Sequence, residues 1–320
     1  MLEVVGLVIP FFGLIFLGYI VARITRQPLE ALGWMNTFII YLALPALFFQ
    51  LLAKTPFEQL TEWRFIAGSV LSTFAIFMMM FGGSLVIARG AIAEATIKGL
   101  AAAYGNIGYM GPGLALLAFG EAAAVPVALI FCFENIMHFA VAPMMMALSG
   151  DDKSPPLQLA GEVVRKIVLH PFIIATAFGV AAAFFELKPP LPVERLLVYL
   201  SSAAAPCALF AMGVTLALRP LKRVPREMAP IAILKLIVHP LLCYVVLSAV
   251  GNFSETWLFS AVLLAALPTA TNVFVIAQQY GVWVERASAS VLITTCLSVL
   301  TVTGLLYAIT HGILPPDLFP

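Results

Sequence analysis

The chain contains 320 residues, of which 62% are hydrophobic and only 10% are charged, and its formal net charge is +1. Soluble domains average about 25% charged residues, so this composition excludes an ordinary soluble protein and predicts a polytopic protein of the lipid bilayer. The near-neutral charge gives no reason to expect a nucleic-acid partner.

Ten apolar runs are long enough to cross the hydrocarbon core of a bilayer, which takes about 20 residues of helix. The first run has neither a basic leading region nor a small-residue cleavage site, so we predict a retained helix and not a signal peptide. The connection 149–162 is rich in charge and proline, and we predict a cytoplasmic linker there between two halves, 1–148 and 163–320. The predicted spans, in chain order, are 4–22, 31–53, 65–88, 95–118, 124–147, 164–185, 194–217, 228–250, 256–279 and 287–311.

Two of these spans are interrupted by residues that break helices. The fourth contains Tyr104-Gly105-Asn106-Ile107-Gly108-Tyr109-Met110-Gly111-Pro112-Gly113, and the ninth contains Leu267-Pro268-Thr269-Ala270-Thr271-Asn272. Proline lacks a backbone donor and clashes with the preceding turn, and in lipid the freed groups need a partner from protein or from a water-filled cavity. Many transporters form their binding sites at such interruptions. The predicted helix-break residues are Gly105, Gly108, Pro112 and Pro268.

Lysine and arginine residues are distributed unequally between the two sides of this predicted topology. Loops on one side contain 12 of them and loops on the other side contain 4. Because cytoplasmic loops carry the excess of basic residues, both termini are expected outside the cytoplasm. The expected location is the cell inner (cytoplasmic) membrane, which the chain would cross several times.

A comparison of the chain with itself indicates an internal repeat. A shift of 161 residues places Pro45 on Pro206, and a shift of 166 residues places Asn106 on Asn272. Each half would then hold five spans, and an odd number gives the halves opposite orientations, as in secondary transporters. Because proline kinks a helix, Pro45 and Pro206 predict equivalent bends in the second and seventh spans.

Three stretches of the chain have the form of family motifs. They are Leu44-Pro45-Ala46-Leu47-Phe48-Phe49, the fourth-span stretch Tyr104 to Pro112, and Pro268-Thr269-Ala270-Thr271-Asn272-Val273-Phe274-Val275-Ile276-Ala277-Gln278-Gln279-Tyr280-Gly281. All three resemble motifs of the auxin efflux carrier family. The chain lacks the long central loop of the plant exporters, so it is similar to the short prokaryotic members, which include carriers proposed to move malonate.

This resemblance implies an all-α fold of ten transmembrane helices in two inverted five-helix repeats, with helices 4 and 9 broken and crossing. Helices 1, 2, 6 and 7 would form a scaffold, and helices 3–5 and 8–10 would form a transport domain. The fold would be related to that of bile-acid/sodium symporters. Substrate would bind near the midplane of the membrane, at the crossing.

The asparagines at the two breaks, Asn106 and Asn272, are the first candidates for substrate binding. An amide offers two donors and an acceptor, so each side chain can cap a broken helix, bind a substrate, or do both. The half-helix N-termini that follow the breaks favour negative charge, so the expected substrate is a small organic anion. Tyr109, Thr269 and Thr271 could line the same cavity, although core packing explains each of them equally well.

Ionisable residues inside spans indicate function because they are costly in lipid. Glu134 and His138 are four residues apart on one face of the fifth span, and Lys235 lies in the eighth. We expect these to be coupling residues, with Glu134 either carrying a coupled proton or pairing with Lys235. The alternative is sodium-coupled symport of the bile-acid type, with oxygen atoms from Gln278 and Gln279, although no acidic residue accompanies them in the ninth span.

The sequence carries no signature of an enzyme and predicts neither a cofactor nor a metal site. It contains no His-Glu-x-x-His and no Gly-x-Ser-x-Gly, and its four cysteines lie in apolar runs without a Cys-x-x-Cys pair. Interrupted helices in an inverted repeat favour a carrier over a channel, and a receptor would need an output domain. We therefore expect a secondary transporter that moves small organic anions, such as malonate or auxin-like acids, by alternating access. The scaffold spans could also pair two copies of the chain into a homodimer.

Overall fold

The computed structural model describes residues 2–86, 91–149, 161, 164–165, 168–218, 224–316 and 318. Almost all of the predicted linker at 149–162 lies outside the described residues, as do several of the basic residues on which the predicted orientation depends. Every regular element in the described ranges is helical, and these ranges contain no β-strand. The predicted all-α class is therefore confirmed.

The described residues form fourteen α-helices, which short 3-10 and π-helical segments join in several places. A helix satisfies its backbone hydrogen bonds internally, which is the requirement that lipid imposes on a spanning segment. In chain order the helices are α1 (Leu2–Thr25), α2 (Gly33–Phe38), α3 (Leu44–Ala53), α4 (Trp63–Val86), α5 (Ile92–Ala103), α6 (Gly111–Phe119), α7 (Ala124–Leu148), α8 (Pro171–Phe184), α9 (Leu191–Leu218), α10 (Met228–Ile233), α11 (His239–Val250), α12 (Glu255–Ala265), α13 (Thr271–Tyr280) and α14 (Val284–Thr310).

Among the described residues, six helical segments are long and apolar enough to cross a membrane. They correspond to six of the ten predicted spans and are consistent with a polytopic membrane protein. Two other predicted spans, 95–118 and 256–279, are each divided into two helices, and the count of ten spans stays a prediction. The six segments are Leu29–Ala53, Trp63–Val86, Glu121–Leu148, Leu191–Leu218, Met228–Val250 and Val284–Thr310.

Two of the six segments contain a widened turn directly before a proline. The π-helical residues are Ile39–Ala43, ahead of Pro45, and Leu234–Val238, ahead of Pro240. A proline ring clashes with the carbonyl four residues earlier, and a π turn is one way in which a helix accommodates such a clash. Pro206 differs, because it lies within the continuous helix α9. The equivalent kinks expected at Pro45 and Pro206 stay a prediction.

The chain divides into two compact units. The first unit consists of residues 1–63, 108–132 and 169–220, and the second consists of residues 64–107, 133–168 and 221–320. Each unit takes segments from both halves of the chain, so this division does not test the predicted repeats 1–148 and 163–320. The interruption of the fourth span supplies one of the points at which the chain passes from one unit to the other.

In the first unit, glycines allow the backbones of α1 and α9 to approach closely. A Cβ atom on Gly213 would lie 1.9 Å from the carbonyl oxygen of Ile15, and one on Gly18 would lie 2.2 Å from that of Phe210. No larger residue fits at either position without moving a helix. Small residues at contacts are the usual means by which membrane helices gain packing energy, because lipid offers no hydrophobic driving force.

In the second unit, α5 is buried along nearly its whole length. Ten of its twelve residues are buried, including Lys98, whose ammonium group lies 2.7 Å from the Glu94 carboxylate one turn earlier. A helix that is buried on all sides lies in the interior of its bundle, and the ion pair with Glu94 gives the buried Lys98 a partner. The interruption that follows Ala103 is thus held inside the core of this unit.

We predict that Gly213→Ala destabilises the protein, because the added methyl group forces α1 and α9 apart. Overpacking of this kind costs about 1–3 kcal/mol, which lowers the unfolding temperature of the purified protein in detergent by on the order of 5 °C. Gly83→Ala is the matched control, since a Cβ atom there meets nothing within 4 Å. Equal unfolding temperatures for the two variants would contradict this account of the contact.

Candidate functional site

The two interruptions predicted from the sequence pair with each other. Gly105 and Thr269 form an isolated antiparallel bridge. The Asn106 N–H donates to the Pro268 carbonyl at 2.8 Å, and the Ala270 N–H donates to the Tyr104 carbonyl at 2.9 Å. We call residues 104–106 and 268–270 the paired interruptions. They give each other the backbone partners that a helix would otherwise provide.

Side chains satisfy further backbone groups around the paired interruptions. The Thr269 N–H donates to the Thr294 hydroxyl at 3.0 Å, and the Thr269 hydroxyl donates to the Ala101 carbonyl in the last turn of α5 at 2.7 Å. The Lys235 ammonium group donates to the Ala265 carbonyl, at the C-terminal end of α12, at 2.6 Å. A cation is favourable at that end of a helix. The non-helical backbone is therefore supported by protein, as burial in a membrane requires.

Gly105 allows a close approach of neighbouring groups at the pairing. A Cβ atom there would lie 3.2 Å from the Lys235 nitrogen and 3.3 Å from the Leu264 carbonyl oxygen. Both distances are tighter than ordinary carbon contacts, so a side chain would displace either the ammonium group or the end of α12. The small size of Gly105 thus has a steric reason, and its helix-break role stays a prediction.

The two candidate asparagines occupy different environments in the second unit. Asn272 lies in the first turn of α13 with an exposed side chain, and its Nδ2 donates to the Tyr104 hydroxyl at 2.9 Å. Asn106 is only 4% exposed and contributes its backbone N–H to the pairing. Of the two amides, that of Asn272 is the more accessible to a solute.

The N-terminus of α13 has the chemistry of an anion site. Ala270 precedes the ten-residue helix and provides no side-chain hydrogen bond to its first turn. The unsatisfied N–H groups of a first turn carry partial positive charge. Thr271 is half-buried at this end of the helix, next to the exposed Asn272. Together these groups can donate hydrogen bonds to a carboxylate.

The remaining predicted residues around the fourth-span break belong to the first unit. Pro112 lies in the first turn of α6, and Tyr109 is half-buried just before that helix. A Cβ atom on Gly108 would lie 2.9 Å from the ring of Phe131, so that glycine allows close packing. The predicted substrate-binding set is therefore divided: Tyr109 lies in the first unit, and the other four residues lie in the second.

A chain of hydrogen bonds connects two buried ionisable groups of the second unit. The Lys235 ammonium group contacts Nδ1 of His239 at 2.9 Å, and Nε2 of His239 contacts the Thr73 hydroxyl at 3.0 Å. The Thr73 hydroxyl donates to the Glu134 carboxylate at 2.8 Å. All four side chains are at most 5% exposed. The ion pairs of the described residues do not include a direct contact between Glu134 and Lys235. Thr73 and His239 connect the two groups instead.

The direction of each hydrogen bond in this chain follows from the groups. An ammonium group can only donate, so Nδ1 of His239 accepts and Nε2 carries the proton. That proton is donated to the Thr73 hydroxyl, whose own proton is donated to Glu134. Every link has one donor and one acceptor, so one proton can pass from Lys235 to Glu134 without rotation of a side chain, and the return transfer restores the starting arrangement.

His138, the third coupling candidate, lies beside this chain on α7. Its Nδ1 lies 2.6 Å from the backbone carbonyl of Glu134, and its ring stacks on the Tyr104 ring with centroids 3.9 Å apart. Its Nε2 is buried and has no hydrogen-bond partner within the described residues. Since Nδ1 must donate to the carbonyl, Nε2 has a free lone pair that could accept a proton.

Sequence reasoning missed two residues of this arrangement, Thr73 and Tyr104. A signal for Thr73 existed in the polar group Ser69, Ser72 and Thr73 within the third span, because polar side chains there need partners. Tyr104 stands directly before Gly105 in the fourth-span motif. Its partners lie 31 and 168 residues away, so its role depends on the tertiary structure.

Comparison with known proteins agrees with these features. The profile of the family described as "Membrane transport protein" matches residues 3–306. A protein of Rhizobium meliloti (strain 1021) named "Putative malonate transporter" is 63% identical over 320 residues, with complete coverage of both chains. An "Uncharacterized transporter" of Methanothermobacter thermautotrophicus is 25% identical, with 90% of this chain and 92% of the relative covered. "Uncharacterized transporter YfdV" of Escherichia coli K12 is 24% identical, with 93% and 95% covered.

The family and these relatives are transporters, not enzymes, and the family match covers nearly the whole chain. The predicted resemblance is confirmed, because this family is that of the auxin efflux carriers. The chain is therefore a multi-pass membrane transporter that belongs to the membrane transport protein family.

Proposed function

We propose that the protein is a secondary transporter that moves small organic anions, malonate first among them, across the inner membrane by alternating access. The observation that carries this proposal is the 63% identity, over the full length, with the relative named "Putative malonate transporter". Identity at this level over complete chains makes the same substrate class the first hypothesis for this chain. Its proposed orientation, with both termini outside the cytoplasm, follows from the basic residues in the loops.

The groups at the start of α13 support an anionic substrate. Partial positive charge at a helix N-terminus, an exposed amide and a threonine hydroxyl are suitable donors for a carboxylate. In discontinuous transporter helices, half-helix N-termini point at anionic groups of the substrate. We therefore assign substrate binding to Asn272 and Thr271, with Asn106 and Thr269 holding the paired interruptions in place, and the role of Tyr109 stays a prediction.

We further propose that Glu134, His138 and Lys235 couple transport to protons. The hydrogen-bonded chain through Thr73 and His239 supports this proposal, because it allows the two terminal groups to exchange a proton and become neutral together. The unpartnered Nε2 of His138 also supports it, since an unsatisfied buried acceptor costs about 1–3 kcal/mol and a proton donor would remove that cost. Lys235 connects these groups to the end of α12, just before the paired interruptions, through the Ala265 carbonyl.

We expect saturable counterflow of labelled malonate into proteoliposomes that are preloaded with unlabelled malonate. Asn272→Ala should weaken apparent affinity by about tenfold or more, because hydrogen bonds to a charged group contribute about 1.5–3 kcal/mol. Asn252→Ala is the matched control, since that exposed asparagine lies in the connection before α12.

Two results would contradict these assignments in different ways. Wild-type affinity in folded Asn272→Ala protein would remove Asn272 from the site while leaving the transport function intact. Counterflow with a different acid but not with malonate would change the substrate. No counterflow with any carboxylate would overturn the proposed function itself.

We expect Glu134→Gln to abolish uptake driven by a proton gradient while counterflow, which needs no net proton movement, continues. The reason is that a neutral amide cannot take up and release a proton. Glu58→Gln, at an exposed carboxylate, should leave both activities unchanged. If gradient-driven uptake persists when Glu134 and Lys235 are both replaced by neutral residues, the coupling role is wrong.

A further inference from the structure

Tyr104 occupies the point at which the proposed substrate and coupling residues meet. It is 1% exposed and caps the end of α5, and its backbone carbonyl accepts the Ala270 N–H in the paired interruptions. Its side chain then reaches both α13 and α7. No other described side chain hydrogen-bonds to Asn272.

The Tyr104 hydroxyl has partners that determine its own orientation. The Oδ1 atom of Asn135 can only accept, so the hydroxyl donates its single proton there. Towards Asn272 the hydroxyl must therefore accept, and it does so from Nδ2 at 2.9 Å. One hydroxyl thus connects an amide on α7 with an amide on α13.

This arrangement also determines the orientation of the Asn272 amide. Because Nδ2 faces Tyr104, one N–H and the Oδ1 atom of Asn272 are left to face other groups. Without the hydroxyl, the exposed amide could rotate and exchange its donor and acceptor positions. A substrate that binds there would then find the donor and acceptor atoms of the Asn272 amide in the correct positions for only part of the time.

The ring of Tyr104 has a separate role from its hydroxyl. It stacks on the imidazole of His138 at 3.9 Å with an interplanar angle of 15°. His138 in turn contacts the backbone of Glu134 at 2.6 Å. The ring therefore contributes to packing, whereas the hydroxyl determines which atoms of Asn135 and Asn272 face it. The two contributions can be separated by substitution.

We propose that Tyr104 is a positioning residue for transport: its hydroxyl orients the Asn272 amide for the substrate and connects that amide to Asn135 on α7, next to Glu134. This inference rests on the proposed function. Tyr104 need not touch the substrate, because it acts through Asn272. Its substitution should therefore change how well substrate binds more than how fast the loaded transporter turns over.

The test is malonate counterflow by Tyr104→Phe, which keeps the ring and removes the hydroxyl. The half-saturation concentration should rise about five- to tenfold, the effect of losing one buried hydrogen bond, with little change in maximal rate. Asn135→Ala removes the amide oxygen that accepts from the Tyr104 hydroxyl and should produce a similar rise in the half-saturation concentration. The double variant should be no worse than either single one, because both act through the same hydroxyl.

Tyr244→Phe is the matched control, because its buried hydroxyl donates to the Pro315 carbonyl and does not contact Asn272. Its half-saturation concentration should equal that of the wild type. An unchanged value in Tyr104→Phe, equal rises in Tyr104→Phe and Tyr244→Phe, or additive effects of Tyr104→Phe and Asn135→Ala would each overturn the inference. If Tyr104→Phe does not fold, the Asn135→Ala result decides in the same way. Absence of saturable counterflow in the wild type would overturn the proposed function instead, and this inference with it.

Discussion

Two backbone hydrogen bonds, between residues 104–106 and 268–270, are the constraint on which the second unit depends. A non-helical backbone in lipid leaves N–H and C=O groups unpaired, at a cost of several kcal/mol for each group. The two interruptions remove this cost by pairing with each other. Each interruption supplies partners for the other, which gives a physical reason for their occurrence together in one chain.

The pairing has consequences for the charges around it. The second interruption follows the C-terminal end of α12, where the Ala265 carbonyl accepts a hydrogen bond from Lys235. It precedes the first turn of α13, which no side chain caps. One helix end thus holds a buried cation, and another is available to an anion. The proposed substrate-binding and coupling groups therefore lie at the two helix ends next to the paired interruptions, so an event at one of them can alter the other.

Buried polar groups form connected sets in this unit. Lys235, His239, Thr73 and Glu134 form one set, and Asn272, Tyr104 and Asn135 form another, which His138 joins by stacking on Tyr104. Connected hydrogen bonds polarise one another in a medium of low dielectric, so the loss of one member affects the rest. Lipid makes every unsatisfied group costly, which explains why nearly every one of these side chains has a partner.

Local chemistry allowed the interruptions to be predicted from the sequence. Pro268 cannot donate a backbone hydrogen bond, and it lies in the gap between α12 and α13. Gly105 likewise lies in the gap between α5 and α6, and Pro112 lies in the first turn of α6. The pairing itself could be expected only from family resemblance, because it joins residues 164 apart. The roles of Thr73 and Tyr104 could not be predicted, because a single hydroxyl in an apolar span does not reveal which of many buried groups it will contact. The sequence left open whether Glu134 carries a coupled proton or pairs with Lys235, and for the same reason it could not reveal that their connection runs through Thr73 and His239.

The central claim is that substrate binds at the start of α13, next to the paired interruptions. The most direct measurement is the alkylation rate of a single cysteine placed at Thr271, in a variant that lacks the four native cysteines. Malonate should slow this alkylation in a saturable manner, with half-protection at the concentration that half-saturates counterflow, while a cysteine at the exposed Ser254 reacts at an unchanged rate. Alkylation at position 271 that saturating malonate does not slow, in protein that still performs counterflow, would contradict the account.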